Sequence, residues 1–244
     1  SCPAARSATR DVYDPVVLSR EGCTGVEVIQ VARALLRVGG PEVFQRHMIP
    51  KILECLRAQE RWQVAGAARL IGEMAWVVGG DDGVMNALLA CQRHRDSNVR
   101  VAVIEALGKC ASAQVNKAEV LFSVFPAALK DRSPRVRAAA LKAVAELGES
   151  LGRAKADHHG LTTLIERIFS KENSLRVLVN AARVVGNLGE TAARDPIVIE
   201  TLLKGLSEWK FPTWQEAARA LGKLAADAAA NSKVLQTMAT LFHQ

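Results

Sequence analysis

The sequence has few aromatic residues: one tyrosine, six phenylalanines and four tryptophans in 244 positions. A share of 5% is low for a β-sandwich built on large flat side chains. Ala, Val and Leu recur instead, which favours helices packed closely through small groups. Long apolar runs are also missing. Runs such as Met74 to Val78 and Pro196 to Ile199 fall far short of the about 20 residues a membrane helix needs, so no transmembrane span is expected. The opening residues Ser1, Cys2, Pro3, Ala4, Ala5 and Arg6 contain neither an initiating methionine nor the apolar core of a secretory signal. A fragment or processed chain is the expectation, with Arg6, Ser7, Thr9 and Arg10 as a short acid-free stretch of the kind found in organelle transit regions.

Cysteine is scarce and unpaired in pattern. Cys2, Cys23, Cys55, Cys91 and Cys110 are odd in number and form no C-x-x-C pair, so neither a disulfide framework nor a zinc site is indicated. A reducing compartment follows as the default, cytoplasmic, with nuclear or organellar import left open. His158 and His159 are adjacent and would point about 100° apart on a helix, a poor arrangement for sharing one metal. No phosphate loop, H-E-x-x-H motif or nucleophile spacing occurs, so no cofactor and no enzymatic function are expected.

What the chain does have is a repeat. The segments Val28 to Gly39, Val64 to Ala75, Arg100 to Ala111, Arg137 to Gly148, Leu178 to Gly189 and Trp214 to Ala225 superpose without gaps. Their marker position is Leu36, Gly72, Gly108, Ala145, Gly186 and Gly222, with spacings of 36, 36, 37, 41 and 36 by subtraction. Within a copy, Val103, Ala106, Leu107 and Cys110, or Ala140, Ala143, Val144 and Leu147, fall on one helical face. Each copy is thus an amphipathic helix with a seam of small residues. A glycine inside a helix costs up to about 1 kcal/mol against alanine, so the marker predicts a close approach by a neighbouring helix.

Second apolar-periodic stretches lie between these helices, near 41–57, 83–93, 117–130, 161–170 and 195–206. Gly39, Gly40 and Pro41, the glycines from Gly79 to Gly83, and Asp195 with Pro196 supply breakers and caps between the pairs. The repeating unit is a helix pair, in which the marker helix is the second, or B, helix. The predicted B helices are 26–39, 62–77, 98–111, 134–149, 175–190 and 213–228, inside a repeat domain of 26–244. An irregular segment over 1–25, a long loop from Glu149 to Gly160 and an unpaired helix over 231–243 complete the expectation.

The turn Asp131, Arg132, Ser133, Pro134, Arg135, Val136, Arg137 resembles the turn between the A and B helices of HEAT repeats, with Asp131 and Arg137 at the family's Asp and Arg positions. Asp96 and Arg100 form a looser version, four residues apart instead of six. The resemblance implies an all-α, right-handed α-solenoid of about six helix pairs of the HEAT or armadillo type, covering about residues 26 to 244. It implies no one function.

Net charge is +7 and the isoelectric point near 9.4, which suits an acidic partner. Basic residues cluster at the predicted turns. Arg61, Arg95, Arg132, Arg135, Lys171 and Lys210, with Trp62 and Trp209, are the expected partner-binding residues, because aromatics beside arginine or lysine make contact hot spots. Asp96, Arg100, Asp131, Arg137 and Arg176 are expected to form a structural ladder along the turns. Trp76, inside an apolar run, is read as core or inter-repeat. The leading functional expectation is a non-enzymatic scaffold or adaptor for a protein partner with an acidic surface or tail, as a subunit of a larger assembly. The alternatives are a tubulin-binding module resembling TOG domains, a basic nucleic-acid-binding repeat protein, and a HEAT-like lyase or DNA glycosylase. HEAT-like di-iron hydroxylases are disfavoured because no His-Glu pair occurs.

Overall fold

The structure, a computed structural model, describes residues 25–113, 118–147, 168–169, 172, 174–189, 192, 196–208 and 213–227. Every regular element among them is a helix: α1 (Gly25–Leu56), α2 (Arg61–Glu73), α3 (Ala75–Val78), α4 (Asp82–Cys91), α5 (Ser97–Ala113), α6 (Ala118–Ala128), α7 (Pro134–Leu147), α8 (Leu175–Asn187), α9 (Pro196–Glu208) and α10 (Thr213–Asp227). None is long and apolar enough to cross a membrane. The segment expected to be irregular, save Gly25, and the loop and unpaired terminal helix expected near 149–160 and 231–243 lie outside the described residues.

The chain divides into two compact units, Ser1–Lys117 and Ala118–Gln244. In the first, α1 packs on α2 and α4, and α5 receives both α2 and α4. In the second, α7 packs on α8 and α8 on α10, with α6 against α7 and α9 against α10. B helix therefore lies on B helix, and A helices sit beside their partners. The seam residues Val103, Ala106, Leu107, Cys110, Ala140, Ala143, Val144 and Leu147 are all buried.

Backbone chemistry sets the joints. Gly40 breaks α1 into two arms with φ 72 and ψ 176, in the left-handed region that glycine tolerates, and Pro41 opens the second arm where its missing N–H is not needed. The Asp81 carboxylate accepts the Val84 N–H at 2.8 Å and caps α4. The helix expected over 62–77 is interrupted at Met74, where φ −109 and ψ 22 separate α2 from α3.

The marker glycines meet their neighbours as close packing requires. A Cβ on Gly72 would stand 3.3 Å from Ala106 Cα, and one on Gly186 would stand 2.9 Å from Ala220 Cα. Gly222 differs: it is exposed, and a Cβ there would meet nothing within 4 Å.

A candidate protein-binding face

The turns are built alike. Arg100 is buried and donates from Nη1 to the carbonyls of His94 at 2.8 Å and Arg95 at 3.1 Å. Arg137 donates to the Asp131 carbonyl at 2.7 Å, also six residues back, and to the Glu172 carboxylate at 2.7 Å. The six-residue relation thus belongs to the carbonyl, and the residue supplying it varies. In both turns that residue's side chain also accepts the N–H two positions on, and Glu172 does the same at the next turn, where Leu178 replaces the arginine. Asp131 Oδ1 takes Ser133 N–H at 2.8 Å, Glu172 Oε1 takes Ser174 N–H at 2.8 Å, and His94 Nδ1 takes Asp96 N–H at 3.0 Å. An imidazole nitrogen replaces a carboxylate oxygen. His94→Asp should therefore leave the urea midpoint nearly unchanged, whereas His94→Leu should cost about 1 kcal/mol through the orphaned N–H.

Asp96 accepts Asn98 N–H at 2.7 Å through Oδ1 and Arg61 Nη1 at 3.1 Å through Oδ2. The Asn98 N–H first, then Arg61, holds its carboxyl below the usual range. Arg61 is thereby engaged with the neighbouring turn, the one that carries Arg95. Arg95 and Arg132 are exposed and make no side-chain bond among the described residues, and Arg135 is exposed as well. Trp62 is half-buried. Lys171, Trp209 and Lys210 lie outside the described residues. Arg176 does not join the ladder: it is exposed and unbonded among the described residues, because Leu178 occupies the position that Arg137 holds one repeat earlier.

The larger correction concerns Trp76, which is not core but 60% exposed. Its neighbours Ala75, Val77 and Val78 take the buried positions. Trp62, Arg69 and Glu73 recur at helical spacing as a stripe along α2, and beyond the break at Met74 Trp76 is the exposed residue of α3. Glu73 ties that stripe to both neighbouring B helices, meeting Arg33 of α1 at 3.2 Å and Lys109 of α5 at 2.6 Å. In the second unit, Glu216 is bonded by Arg183 at 3.2 Å and by Arg219, Lys223 donates to Asn187 Oδ1 at 2.7 Å, and Trp214 is 41% exposed.

The Lys109 ammonium, followed by Arg33, lowers the Glu73 pKa from its ordinary 4.5 despite an opposing desolvation. A depressed carboxylate pKa stabilises the fold above the unfolded value and loses that contribution as pH falls through the folded one. Acid titration from pH 6 downward should therefore weaken the first unit below about pH 4.5, the ordinary value. Glu73→Gln should flatten that part of the stability profile. Cysteine chemistry plays no part in this face: burial pushes the Cys110 thiol up to about 12, which leaves it an inert core residue.

The family model for HEAT repeats matches residues 85–158. No curated protein sequence matches the chain. Among solved structures, an engineered protein is similar at 20% identity, with 91% of this chain and 90% of that one covered and a TM-score of 0.60. A designed armadillo repeat protein in complex with the peptide (KR)4 is similar at 16% identity over 90% of this chain and 92% of its own, with a TM-score of 0.63. Kap121p, a karyopherin also solved bound to the extreme C-terminus of the protein phosphatase Cdc14p, reaches a TM-score of 0.70 at 13% identity, over 91% of this chain but 26% of its own. The stacked helix pairs, the turn geometry and these likenesses agree on the fold: it is an α-solenoid of helix pairs like those of armadillo and HEAT-repeat proteins, and residues 85–158 match the HEAT-repeat model.

Proposed function

We propose that the chain is a non-enzymatic scaffold that holds a protein partner on the outward face of the first unit's B helices, with the exposed turn cation Arg95 at its margin. The observation that carries this reading is Trp76, 60% exposed on a helix whose other residues are buried. A large aromatic ring left exposed to water is the kind of side chain that anchors a contact surface. Two of the similar folds hold peptide segments, (KR)4 in the designed armadillo protein and the Cdc14p C-terminus in Kap121p. The test is quantitative capture of binding proteins from cell extract by wild type and by Trp76→Ala, each shown to be folded. Proteins retained by wild type should be lost or strongly depleted with the variant. An identical retained set would overturn the reading.

A further inference from the structure

The first unit's B face has a closed middle and open flanks. Across the middle run Arg33, Glu73 and Lys109, joined at 3.2 and 2.6 Å, so that two cations satisfy one carboxylate. Four residues before Glu73 stands Arg69, and four residues after Arg33 stands Arg37. Both are exposed, and neither makes an ion pair or side-chain hydrogen bond among the described residues. Beyond the break at Met74, α3 carries the 60% exposed Trp76 and packs on α1, the helix of Arg37. On Arg69's side, four residues before Lys109, lies the half-buried Glu105.

We infer that this face takes an acidic peptide segment in extended form, with one carboxylate on Arg69, another on Arg37, and an apolar side chain against Trp76. The inference rests on the scaffold reading above and adds the partner's charge and spacing. Its warrant is complementarity: an exposed guanidinium without a partner offers a two-pronged donor that fits a carboxylate. The Glu73 charge is already neutralised by two cations, so it does not repel an incoming acid. Spacing supplies the second constraint. Arg69 stands four residues, about 6 Å of helix axis, to one side of the middle row and Arg37 about 6 Å to the other, on neighbouring helices about 9 Å apart, so about 15 Å separates them, which an extended chain covers in about four to five residues. The segment should therefore carry acids about four to five positions apart, with an apolar residue to meet Trp76.

The experiment pans a display library of short random peptides on the full chain, and follows the enriched peptides by fluorescence anisotropy against wild type, Arg37→Glu/Arg69→Glu and Trp76→Ala. Expected are peptides rich in Asp and Glu at that spacing, about tenfold or more weaker binding to either variant, and weakening with added salt. Enrichment of basic or uncharged peptides, no enrichment, or unchanged affinity for the double variant would overturn the inference. If Trp76→Ala still loses its captured proteins while enriched peptides are not acidic, the acidic class falls and the scaffold reading stands. If neither test responds to Trp76→Ala, both fall together.

Discussion

Gly186→Leu is expected to destabilise the protein by about 1–3 kcal/mol or more, although leucine is a far better helix former than glycine. The reason is distance. A Cβ at this position would already stand 2.9 Å from Ala220 Cα and 3.1 Å from its Cβ, so α8 and α10 must separate before any further atom is added. Propensity works the other way and returns up to about 1 kcal/mol, which the overpacking exceeds. Gly222→Leu changes the same residue type at the same repeat position, where a Cβ meets nothing within 4 Å. It should leave the urea midpoint unchanged or raise it. Equal shifts for the two variants would show that the seam does not depend on close approach at Gly186. Gly108→Leu and Ala143→Phe, both at buried seam positions, should fall with Gly186→Leu.

Arg137→Leu should cost about 2–3 kcal/mol, between an orphaned hydrogen-bonding group and a broken fully buried ion pair. The side chains of Arg137 and Glu172 are only 19% and 9% exposed, so water cannot replace what the mutation removes. Lost together are the bonds to the Glu172 carboxylate at 2.7 Å and to the Asp131 carbonyl at 2.7 Å. Adding Glu172→Leu should recover part of the loss, since an apolar pair no longer strands a charge. A double-mutant cycle read by urea melts measures that coupling, and strict additivity would contradict it. Arg61→Ala is the counterpart: Arg61 is 74% exposed in its pair with Asp96, and its loss should cost no more than about 1 kcal/mol.

Much of the architecture is legible in the sequence because the B seam must be small and must repeat. Val103, Ala106, Leu107 and Cys110 can be picked out as buried from spacing alone, and Gly72 and Gly186 from the cost of glycine inside a helix. The turns are partly legible. Asp131 with Arg137 follows a recognisable pattern, but His94 hides the same turn behind a different side chain, because an acceptor nitrogen has no counterpart in a match by residue type. Arg176 misleads in the opposite way: its charge fits the ladder, while its register, two residues from Leu178, turns it outward.

The candidate face is the least legible part. Trp76 stands in an apolar run, Met74 to Val78, whose other members are indeed buried, so composition argues for the core. Phase marks Trp62, Arg69 and Glu73 as one stripe of α2, but the non-helical Met74 resets it, so the exposure of Trp76 could not be counted from that stripe. A second signal was available in charges of opposite sign near the repeat distance. Arg61 with Asp96 is 35 residues apart, Glu73 with Lys109 is 36, and each is an ion pair between neighbouring repeats. Such pairs mark the faces where adjacent repeats meet water together, and they distinguish engaged cations from those left for a partner.

The central claim, that a protein partner lies on the outward B face of the first unit, is tested most directly by site-specific photo-crosslinking. A photoreactive residue placed at Arg69 on α2, and in a second protein at Asn86 on α4, reports which surface is covered when the partner is bound; both positions are exposed. The account predicts a crosslinked partner from position 69 and none from position 86. Crosslinking from position 86 alone, or equally from both, would contradict it.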